Sequence, residues 1–426
     1  MARTELPRVA VLGAGPVGLE AGLYAAALGL PVTLYERGTI GAHLRQWGHV
    51  RLFSPFGMNR TSLGLSAIRA ENPDHEFPAD GDCISGRDHV AAYLEPLALT
   101  AKLCDRLRLG EEVLHVGRRG FLKGEAPGDT KRGQQPFLLL VREGQGKERI
   151  DEADVVLDCT GTYGRHRWLG EGGIPAAGEK ACANHIAYGL EDVLGERRGV
   201  YAGRTVLVVG GGYSAATTVC NLAKRAEKEP ATWIVWAARG GGSQPIKRLL
   251  GDPLAERDRL AMRANTLATR PEGNVEFHSQ AVIEALAQSG GGLRVTARCA
   301  GKRVTWEVER VVANVGYTPD AELYRELHVH ECYATLGPMA LAAALMKQAG
   351  SDCLAIGPQG PNALRNPEPN FYVLGAKSYG RNSQFLLRNG FAQVREVFTL
   401  ITGKPEPTKG AYCHPEQIER VTGKLK

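Results

Sequence analysis

The sequence contains no Cys-x-x-Cys motif, and its nine cysteines are scattered over 426 residues. An odd number of cysteines in a chain of this length does not indicate a disulfide framework. We therefore expect a reducing, cytoplasmic environment. The missing motif also counts against chemistry that needs a closely spaced pair of thiols.

Long runs of one charge are absent as well. The formal net charge is +6 and is spread along the chain, with only short basic pairs such as Lys247-Arg248. This favours anionic small ligands over nucleic acid. Residues 9–30 are mostly apolar, but Glu20 and regularly placed glycines interrupt them, and no usual cleavage site follows. The segment therefore predicts part of a soluble domain rather than a signal peptide or a membrane span.

A dinucleotide-binding fingerprint stands near the start of the sequence. An apolar stretch, residues 8–12, precedes Gly13, Gly15 and Gly18, and a helical pattern follows them. The three glycines suit a tight turn, a close approach to a pyrophosphate and close packing of helix on strand. Glu36 ends the next strand, where it can bind ribose hydroxyls, which indicates FAD or NAD rather than NADP. The alternative is a tight turn in another α/β fold.

A second fingerprint lies almost two hundred residues further on. Gly210, Gly212 and Ala215 form G-x-G-x-x-A after an apolar strand, with Ser214 in the first turn of the following helix. The next strand leads to Arg239, which can pair with a ribose 2′-phosphate, so this unit predicts NADPH. The alternatives are a structural copy without nucleotide and an ordinary arginine in a turn. Two nucleotides suggest a resident flavin and a hydride donor.

The sequence resembles the flavin-containing monooxygenases within the two-dinucleotide-binding-domain flavoproteins. Beyond the two fingerprints, the resemblance rests on "VLDCTGTYG" at 156–164, on "HIAYGLEDV" with His185 and Tyr188, and on residues 370–394. It implies that Thr160, Gly161 and Gly375 contact the flavin. The chain departs from the family in lacking the Phe of the F-x-G-x-x-x-H signature. It also has Ala376 where many flavoprotein reductases have Asp, which weakens the reductase interpretation.

The predicted fold class is α/β, with two Rossmann-like dinucleotide-binding domains. The resemblance implies a discontinuous FAD domain, residues 1–167 and 310–426. An NAD(P)H domain, residues 200–300, is inserted into it. Residues 168–199 and 301–309 are then expected to be linkers.

Candidate catalytic residues come from two segments. Asn59 and Arg51 lie in residues 47–64, where the family places groups that face flavin and substrate. For Asn59 the alternative is a turn-forming asparagine, and for Arg51 the alternatives are a plain surface arginine and a phosphate contact. Tyr379, Asn382 and Gln384 lie in a segment expected over the flavin ring, before a helix that is predicted to begin near Ser383. For Asn382 or Ser383, ordinary helix capping is the alternative.

No metal site is expected. His328, His330 and Cys332 would share one face if residues 327–333 formed a strand. Their spacing matches no common zinc signature, and the resemblance requires no metal. The alternatives are strand polarity and substrate contact.

The resemblance implies an NADPH-dependent FAD monooxygenase. It would oxygenate N, S or a ketone of a small molecule through a flavin hydroperoxide, with molecular oxygen as co-substrate. Neither nucleic acid nor a membrane is expected as a partner, and a homodimer is among the open oligomeric states. The alternatives are an FAD/NAD(P)H reductase that feeds an electron carrier and an FAD oxidase or dehydrogenase with a vestigial second site. A non-catalytic nucleotide-binding protein is a further alternative.

Overall fold

The structure is a computed structural model that describes residues 6–270, 273–348, 350 and 352–404. The chain folds into two compact units. Unit 1 contains the described residues of 1–48, 54–165 and 318–426, and unit 2 contains 49–53 and the described residues of 166–317. Among the described residues, no helix combines the length and the apolar character needed to cross a bilayer.

Unit 1 is built on a parallel sheet and an antiparallel one. Its strands are β1 (Val9–Leu12), β2 (Val32–Glu36), β3 (Leu107–Leu109), β4 (Glu112–Arg118), β5 (Phe137–Arg142), β6 (Glu148–Ala153), β7 (Val155–Asp158) and β16 (Phe371–Val373). The parallel sheet has the order β16-β7-β1-β2-β3, and β4, β5 and β6 form the antiparallel sheet.

The helices of unit 1 come from all three of its chain segments. They are α1 (Pro16–Ala27), α2 (Ala42–Gln46), α3 (Ser62–Glu71), α4 (Gly86–His89), α5 (Glu95–Ala98), α6 (Lys131–Gln134), α10 (Met339–Met346) and α11 (Leu387–Thr402). A π-helical turn, Val90–Leu94, joins α4 to α5, and a 3₁₀ turn, Gly375–Tyr379, follows β16.

Unit 2 repeats this plan. Its strands are β8 (Ile186–Tyr188), β9 (Thr205–Val209), β10 (Trp233–Ala237), β11 (Val275–His278), β12 (Ala281–Ser289), β13 (Gly292–Cys299), β14 (Lys302–Val308) and β15 (Arg310–Ala313), and its helices are α7 (Arg198–Tyr201), α8 (Tyr213–Ala226) and α9 (Ala255–Thr269). The parallel sheet has the order β11-β10-β9-β15-β8, and β12, β13 and β14 form an antiparallel sheet.

The apolar strand sequences follow from burial on both faces of each parallel sheet. In β1, Val9 and Val11 pack in the core with α1, whereas Ala10 and Leu12 pack with residues of β4–β6. In unit 2, alternate residues of β9 and β10 pack in the same way against α8 and α9 or against β12–β14. Successive strand residues point to opposite faces, so both faces need apolar side chains. Fully burying one such side chain contributes about 1.5–3 kcal/mol.

The observed units differ from the predicted domain boundaries. Residues 310–317, expected in the FAD domain, lie in unit 2 because β15 pairs with β9. The expected linker 168–199 contains β8, which extends the same sheet by pairing with β15. The other expected linker, 301–309, is largely β14. Hydrogen bonds between strands distant in sequence therefore set the limits of unit 2.

Candidate nucleotide-binding sites

The first glycine loop connects β1 to α1 and has the geometry that its three glycines predict. Gly13 has φ +96°, and a Cβ there would lie 2.9 Å from the Cys159 carbonyl oxygen. A Cβ on Gly18 would lie 1.9 Å from the Gly13 carbonyl oxygen. At Gly15, by contrast, a Cβ would meet nothing within 4 Å. The first and third glycines are therefore required by the fold, and the second borders open space.

Two polar features surround that open space. Helix α1 begins after Gly15 without a side-chain cap, so its first N–H groups are available to a ligand. The Glu36 carboxylate is held beside the loop, because Ala14 N–H and Gly38 N–H each donate to it at 2.8 Å. Its two oxygens retain lone pairs for further donors. An uncapped helix start beside a carboxylate fits the phosphates and the ribose of a dinucleotide.

The ends of β7 and β16 bring further predicted residues to this side of unit 1. These neighbouring parallel strands end at Asp158 and Val373, so the Thr160-Gly161 turn and Gly375 follow adjacent strand ends. Gly375 has φ +70°, and a Cβ there would lie 3.3 Å from the side chain of Val17 in α1. The glycine loop, the Thr160-Gly161 turn and the Gly375 turn thus converge within unit 1.

A buried ion pair at these strand ends was not anticipated from the sequence. Lys377 Nζ lies 2.6 Å from Asp158 Oδ2, and both side chains are almost completely buried. The two residues are 219 positions apart. Only the parallel pairing of β7 with β16 brings them together, so local sequence carried no signal for the pair.

Aromatic side chains of α2 and of the segments beside it lie next to the Thr160-Gly161 turn. The rings of His43 and Trp47 lie 5.7 and 6.3 Å from that of Tyr163, centroid to centroid. Trp47 Nε1 is buried and has no hydrogen-bond partner among the residues that the structure describes. A buried N–H without a partner is costly unless a ligand accepts from it. This donor is therefore available to a bound ligand.

The candidate catalytic residues occupy three different environments. Asn59 is 1% exposed, and its amide closes its own loop: Oδ1 accepts from Ser54 Oγ, and Nδ2 donates to the Ser54 and Pro55 carbonyls. This matches the turn-forming alternative, although a second lone pair on Oδ1 is left. Tyr379 is buried, its hydroxyl accepts from Asn389, and burial raises the pKa of Tyr379 to about 12. Arg51 is exposed and belongs to unit 2.

The segment after the Gly375 turn differs from the prediction in one respect. Helix α11 begins at Leu387, not near Ser383, so neither Asn382 nor Ser383 is its N-cap. Asn382 Oδ1 instead accepts from the Gln384 N–H at 2.9 Å. This side-chain turn competes with helix formation and delays the start of α11. Asn382 and Gln384 are both partly exposed at this turn.

The second glycine loop, between β9 and α8, resembles the first: its first glycine has a positive φ and no room for a Cβ, and its second glycine borders open space. Gly210 has φ +150°, and a Cβ there would lie 2.5 Å from the Asn314 carbonyl oxygen. A Cβ on Gly212 would meet nothing within 4 Å, and α8 begins there without a side-chain cap. Ala215 is fully buried, and Ser214 is exposed in the first turn of the helix.

Arg239 follows β10, the strand next to β9 in the sheet of unit 2. Its side chain is exposed and has no ion-pair partner in the described part of the chain. The nearby Arg248, also exposed, is paired with Asp258 at 2.8 Å. Arg239 is thus a free cation, just beyond the end of β10 and not within it.

The family's His-x-x-Tyr segment has a structural role within unit 2. Tyr188 donates from its hydroxyl to the buried Glu179 at 2.5 Å and stacks on His166 with ring centroids 3.5 Å apart. Glu179 also accepts from the N–H groups of Leu169 and Ala176. The buried carboxylate thus anchors the chain that leads into β8.

Residues 327–333 do not form the strand that would align His328, His330 and Cys332. The His328 ring lies 2.5 Å from the Lys123 carbonyl oxygen, and Cys332 is buried. The described residues contain no group of three or more His, Cys, Asp or Glu side chains placed to hold a metal ion.

Sequence comparison finds monooxygenases and a reductase among the relatives of this chain, although no protein-family model matches it. An indole-3-pyruvate monooxygenase from Oryza sativa subsp. japonica is 29% identical over 230 residues, which cover 52% of this chain and 47% of that protein. A mercuric reductase from Shigella flexneri is 29% identical over 157 residues, 36% of this chain and 25% of that protein. The chain thus matches at most about half the length of these curated relatives.

Solved structures match nearly the whole chain. A bacillithiol disulfide reductase from Bacillus cereus covers 94% of this chain and 99% of its own, with a TM-score of 0.65 and 18% identity. A cadaverine monooxygenase from Erwinia amylovora covers 95% and 97%, with a TM-score of 0.64 and 14% identity. The chain has the fold of the two-dinucleotide-binding-domain flavoproteins.

This fold confirms the predicted α/β class with two Rossmann-like domains. The resemblance to flavin-dependent monooxygenases is also confirmed. An ornithine N-hydroxylase from Kutzneria sp. 744 is a further structural neighbour, with a TM-score of 0.63 and 17% identity. The match covers 94% of this chain and 99% of that one. Because reductases share the fold, the fold alone does not choose between the two reactions.

Proposed function

We propose that the protein is an NADPH-dependent FAD monooxygenase that oxygenates a nitrogen, a sulfur or a ketone of a small molecule. One observation carries the proposal. In each unit, the second glycine of the loop borders open space at the start of a helix that has no side-chain cap. The loop of unit 1 has the Glu36 carboxylate beside it, and in unit 2 the unpaired Arg239 follows the neighbouring strand β10. Such sites suit two different dinucleotides in one chain.

The residues of unit 1 fit FAD. The α1 N–H groups would bind the pyrophosphate, Glu36 the adenosine ribose and Trp47 Nε1 an acceptor on the ring edge. The bound flavin would accept hydride from NADPH and activate molecular oxygen. The proposed contacts of unit 1 are Gly15, Glu36, Thr160, Gly161, Gly375, Asn382 and Gln384, and Gly13 and Gly18 are proposed to give the loop the shape that these contacts need. Asn59 and Tyr379 are proposed to take part in the reaction site: Asn59 Oδ1 keeps a second lone pair, and the Tyr379 hydroxyl, which accepts from Asn389, keeps its proton to donate.

Unit 2 would hold NADPH. Its proposed contacts are Gly210, Gly212, Ser214, Ala215 and Arg239. The free guanidinium of Arg239 would pair with the 2′-phosphate, which NADH lacks. Arg51, exposed in the same unit, is proposed to bind an anionic group of the substrate or the nucleotide.

Oxygenation is favoured over electron transfer to a disulfide. Two of the sequence relatives are indole-3-pyruvate monooxygenases. The cysteines of the described residues are free thiols, and the sequence has no Cys-x-x-Cys motif. Disulfide reduction needs an attacking thiolate, and a Cys-x-x-Cys pair is a common source of one. The free thiols also support a cytoplasmic location as part of the proposal.

The decisive experiment supplies the purified holoprotein with NADPH, ¹⁸O₂ and a panel of small amines, thioethers and ketones. We expect one of these compounds to be converted to a product that contains one ¹⁸O atom. The same compound should make NADPH oxidation faster. NADPH consumption that yields only hydrogen peroxide, with fast transfer to an artificial electron acceptor, would support the reductase. Flavin reduction by a substrate without NADPH would support the oxidase.

The cofactor preference is tested with R239A. Loss of a charge-assisted contact of about 1.5–3 kcal/mol should raise the KM for NADPH roughly tenfold or more and leave the KM for NADH unchanged. R248A is the matched control, because Arg248 is exposed but already paired with Asp258. Equal effects of R239A on both nucleotides would contradict the assignment.

A further inference from the structure

The buried pair of Asp158 and Lys377 is organised around one residue. Asp158 Oδ1 accepts from the Thr160 N–H at 3.1 Å and from the Thr160 hydroxyl at 2.7 Å. Lys377 Nζ donates to Asp158 Oδ2 and also to Thr160 Oγ1 at 3.0 Å. The ammonium also lies 5.1 Å from the ring centroid of Tyr324. Thr160 therefore cannot rotate without breaking contacts to both charges.

Stability alone does not explain this pair. Removing two charges from water costs several kcal/mol per ion, and well-packed apolar residues of similar volume are often as stable or more stable. Both side chains are at most 1% exposed, so the cost applies in full. Retention of such a pair points to a role in placing specific groups.

The position of the pair identifies the groups that it places. Thr160 precedes Gly161, and Lys377 lies in the same 3₁₀ turn as Gly375. The carbonyl of Cys159, between Asp158 and Thr160, faces Gly13 of the first glycine loop. The pair thus links the three backbone segments that converge in unit 1.

We propose that Lys377 is a positioning residue for the flavin, acting through Asp158 and Thr160, and that the balance of the two charges sets the reduction potential of the flavin. The inference rests on the proposed function only in requiring that unit 1 binds FAD. The reduced flavin carries more negative charge than the oxidised one, so a nearby uncompensated charge changes its stability.

The charge balance predicts shifts of opposite sign. K377M leaves the Asp158 carboxylate without its counter-charge and should make the midpoint potential more negative. D158N leaves the ammonium and should make it more positive. The double variant D158N/K377M, which is neutral again, should return towards the wild-type potential, and K377R should stay near it.

The experiment measures midpoint potentials of the FAD-bound variants by dye-coupled reduction at pH 8, together with FAD dissociation constants. Neither measurement needs NADPH or a substrate. We expect the single variants to bind FAD about tenfold more weakly, because the Thr160 turn loses its anchor. D252N and R257M are matched controls, since they break another buried pair, in unit 2, with side chains 2% and 5% exposed.

The outcomes separate this proposal from the proposed function. If the wild type binds no FAD, both fail. If it binds FAD but D158N and K377M shift the potential in the same direction, or no more than the controls do, the pair is only a structural link. If the opposite shifts occur while no ¹⁸O enters any product, the positioning role stands and the monooxygenase does not. If one single variant fails to fold, the other decides together with D158N/K377M: a shift of the predicted sign that the double variant reverses supports the proposal, and a shift that persists in the double variant overturns it.

Discussion

At the scale of single residues, His89 of unit 1 is a buried side chain that titrates in an apolar environment. It lies at the end of α4, is fully buried and packs against Phe56 and Tyr93. Neither ring nitrogen has a hydrogen-bond partner among the described residues. Burial lowers the pKa of His89 from 6.5 to about 4. The folded protein therefore holds this imidazole neutral where the unfolded chain would protonate it.

The sign of the resulting pH dependence follows directly. Between pH 6.5 and 4 the unfolded chain binds a proton that the folded protein does not, so this group destabilises the fold as the pH falls. At pH 5 the loss relative to pH 7.5 should be about 2 kcal/mol. H89L removes the titrating group. Its free energy of unfolding, measured in urea, should therefore fall by about 2 kcal/mol less than that of the wild type between pH 7.5 and pH 5.

The matched control for this prediction is H115L, which removes an exposed imidazole from β4. It should follow the wild-type pH dependence. A wild type and an H89L variant with parallel pH profiles would show that His89 is not a buried neutral base.

At the scale of elements, each glycine loop acts together with the helix that follows it. Gly18 lies within α1, yet its missing side chain lets the helix touch the Gly13 carbonyl. Gly15, the N-cap, has φ −79° and ψ −177°, which an alanine also adopts. Gly18 therefore serves the fold, whereas Gly15 serves the ligand.

Alanine variants should show this separation. G15A should leave the thermal midpoint of the FAD-free protein unchanged but weaken FAD binding at least about tenfold, because the methyl group fills the approach to the pyrophosphate. G18A should lower the stability of the FAD-free protein by about 1–3 kcal/mol through overpacking. Calorimetry and flavin titration measure the two effects. Equal destabilisation by both substitutions would refute the distinction.

The sequence predicted the elements whose signals are local. The order of strand, glycine loop, helix and second strand sufficed for both fingerprints, and the beginning of α1 at Pro16 follows from a proline preset for the first helical turn. The sequence does not distinguish the side-chain turn at Asn382 from a helix N-cap, because in both the asparagine Oδ1 accepts from a backbone N–H shortly after it. The start of α11 was therefore placed too early.

Features that depend on distant strands were missed. The assignment of β8 and β15 to unit 2 and the meeting of Asp158 with Lys377 both arise from parallel pairing across long stretches of chain. Nothing in a short window records such a register. The same holds for the buried Glu368. It forms ion pairs with Arg118, at the end of β4, and with Arg132, in α6, although both lie more than two hundred residues earlier in the chain.

At the scale of the whole molecule, the two units share one layer plan but differ in continuity. Each has a parallel sheet with helices on one face and an antiparallel three-stranded sheet on the other. Apart from residues 49–53, unit 2 is one chain segment, whereas unit 1 is assembled from three.

Hydrogen–deuterium exchange should assign one ligand to each unit. FAD added to the FAD-free protein should slow exchange in α1 and in the turns after β7 and β16, because bound phosphate and ring groups restrain those N–H groups. NADP⁺ should slow exchange at the start of α8. Protection of α1 by NADP⁺ with no change in α8 would contradict the assignment of the second site.

The pairing of β16 with β7 has a consequence for synthesis on the ribosome. Strand β7 lies between β1 and β16, and β16 is made only after all of unit 2. Until then the nascent sheet of unit 1 presents β7 as an open edge, which invites pairing with other chains. Unit 2 can complete its own sheet first, so premature termination before β16 should yield an aggregation-prone product that still contains one folded half.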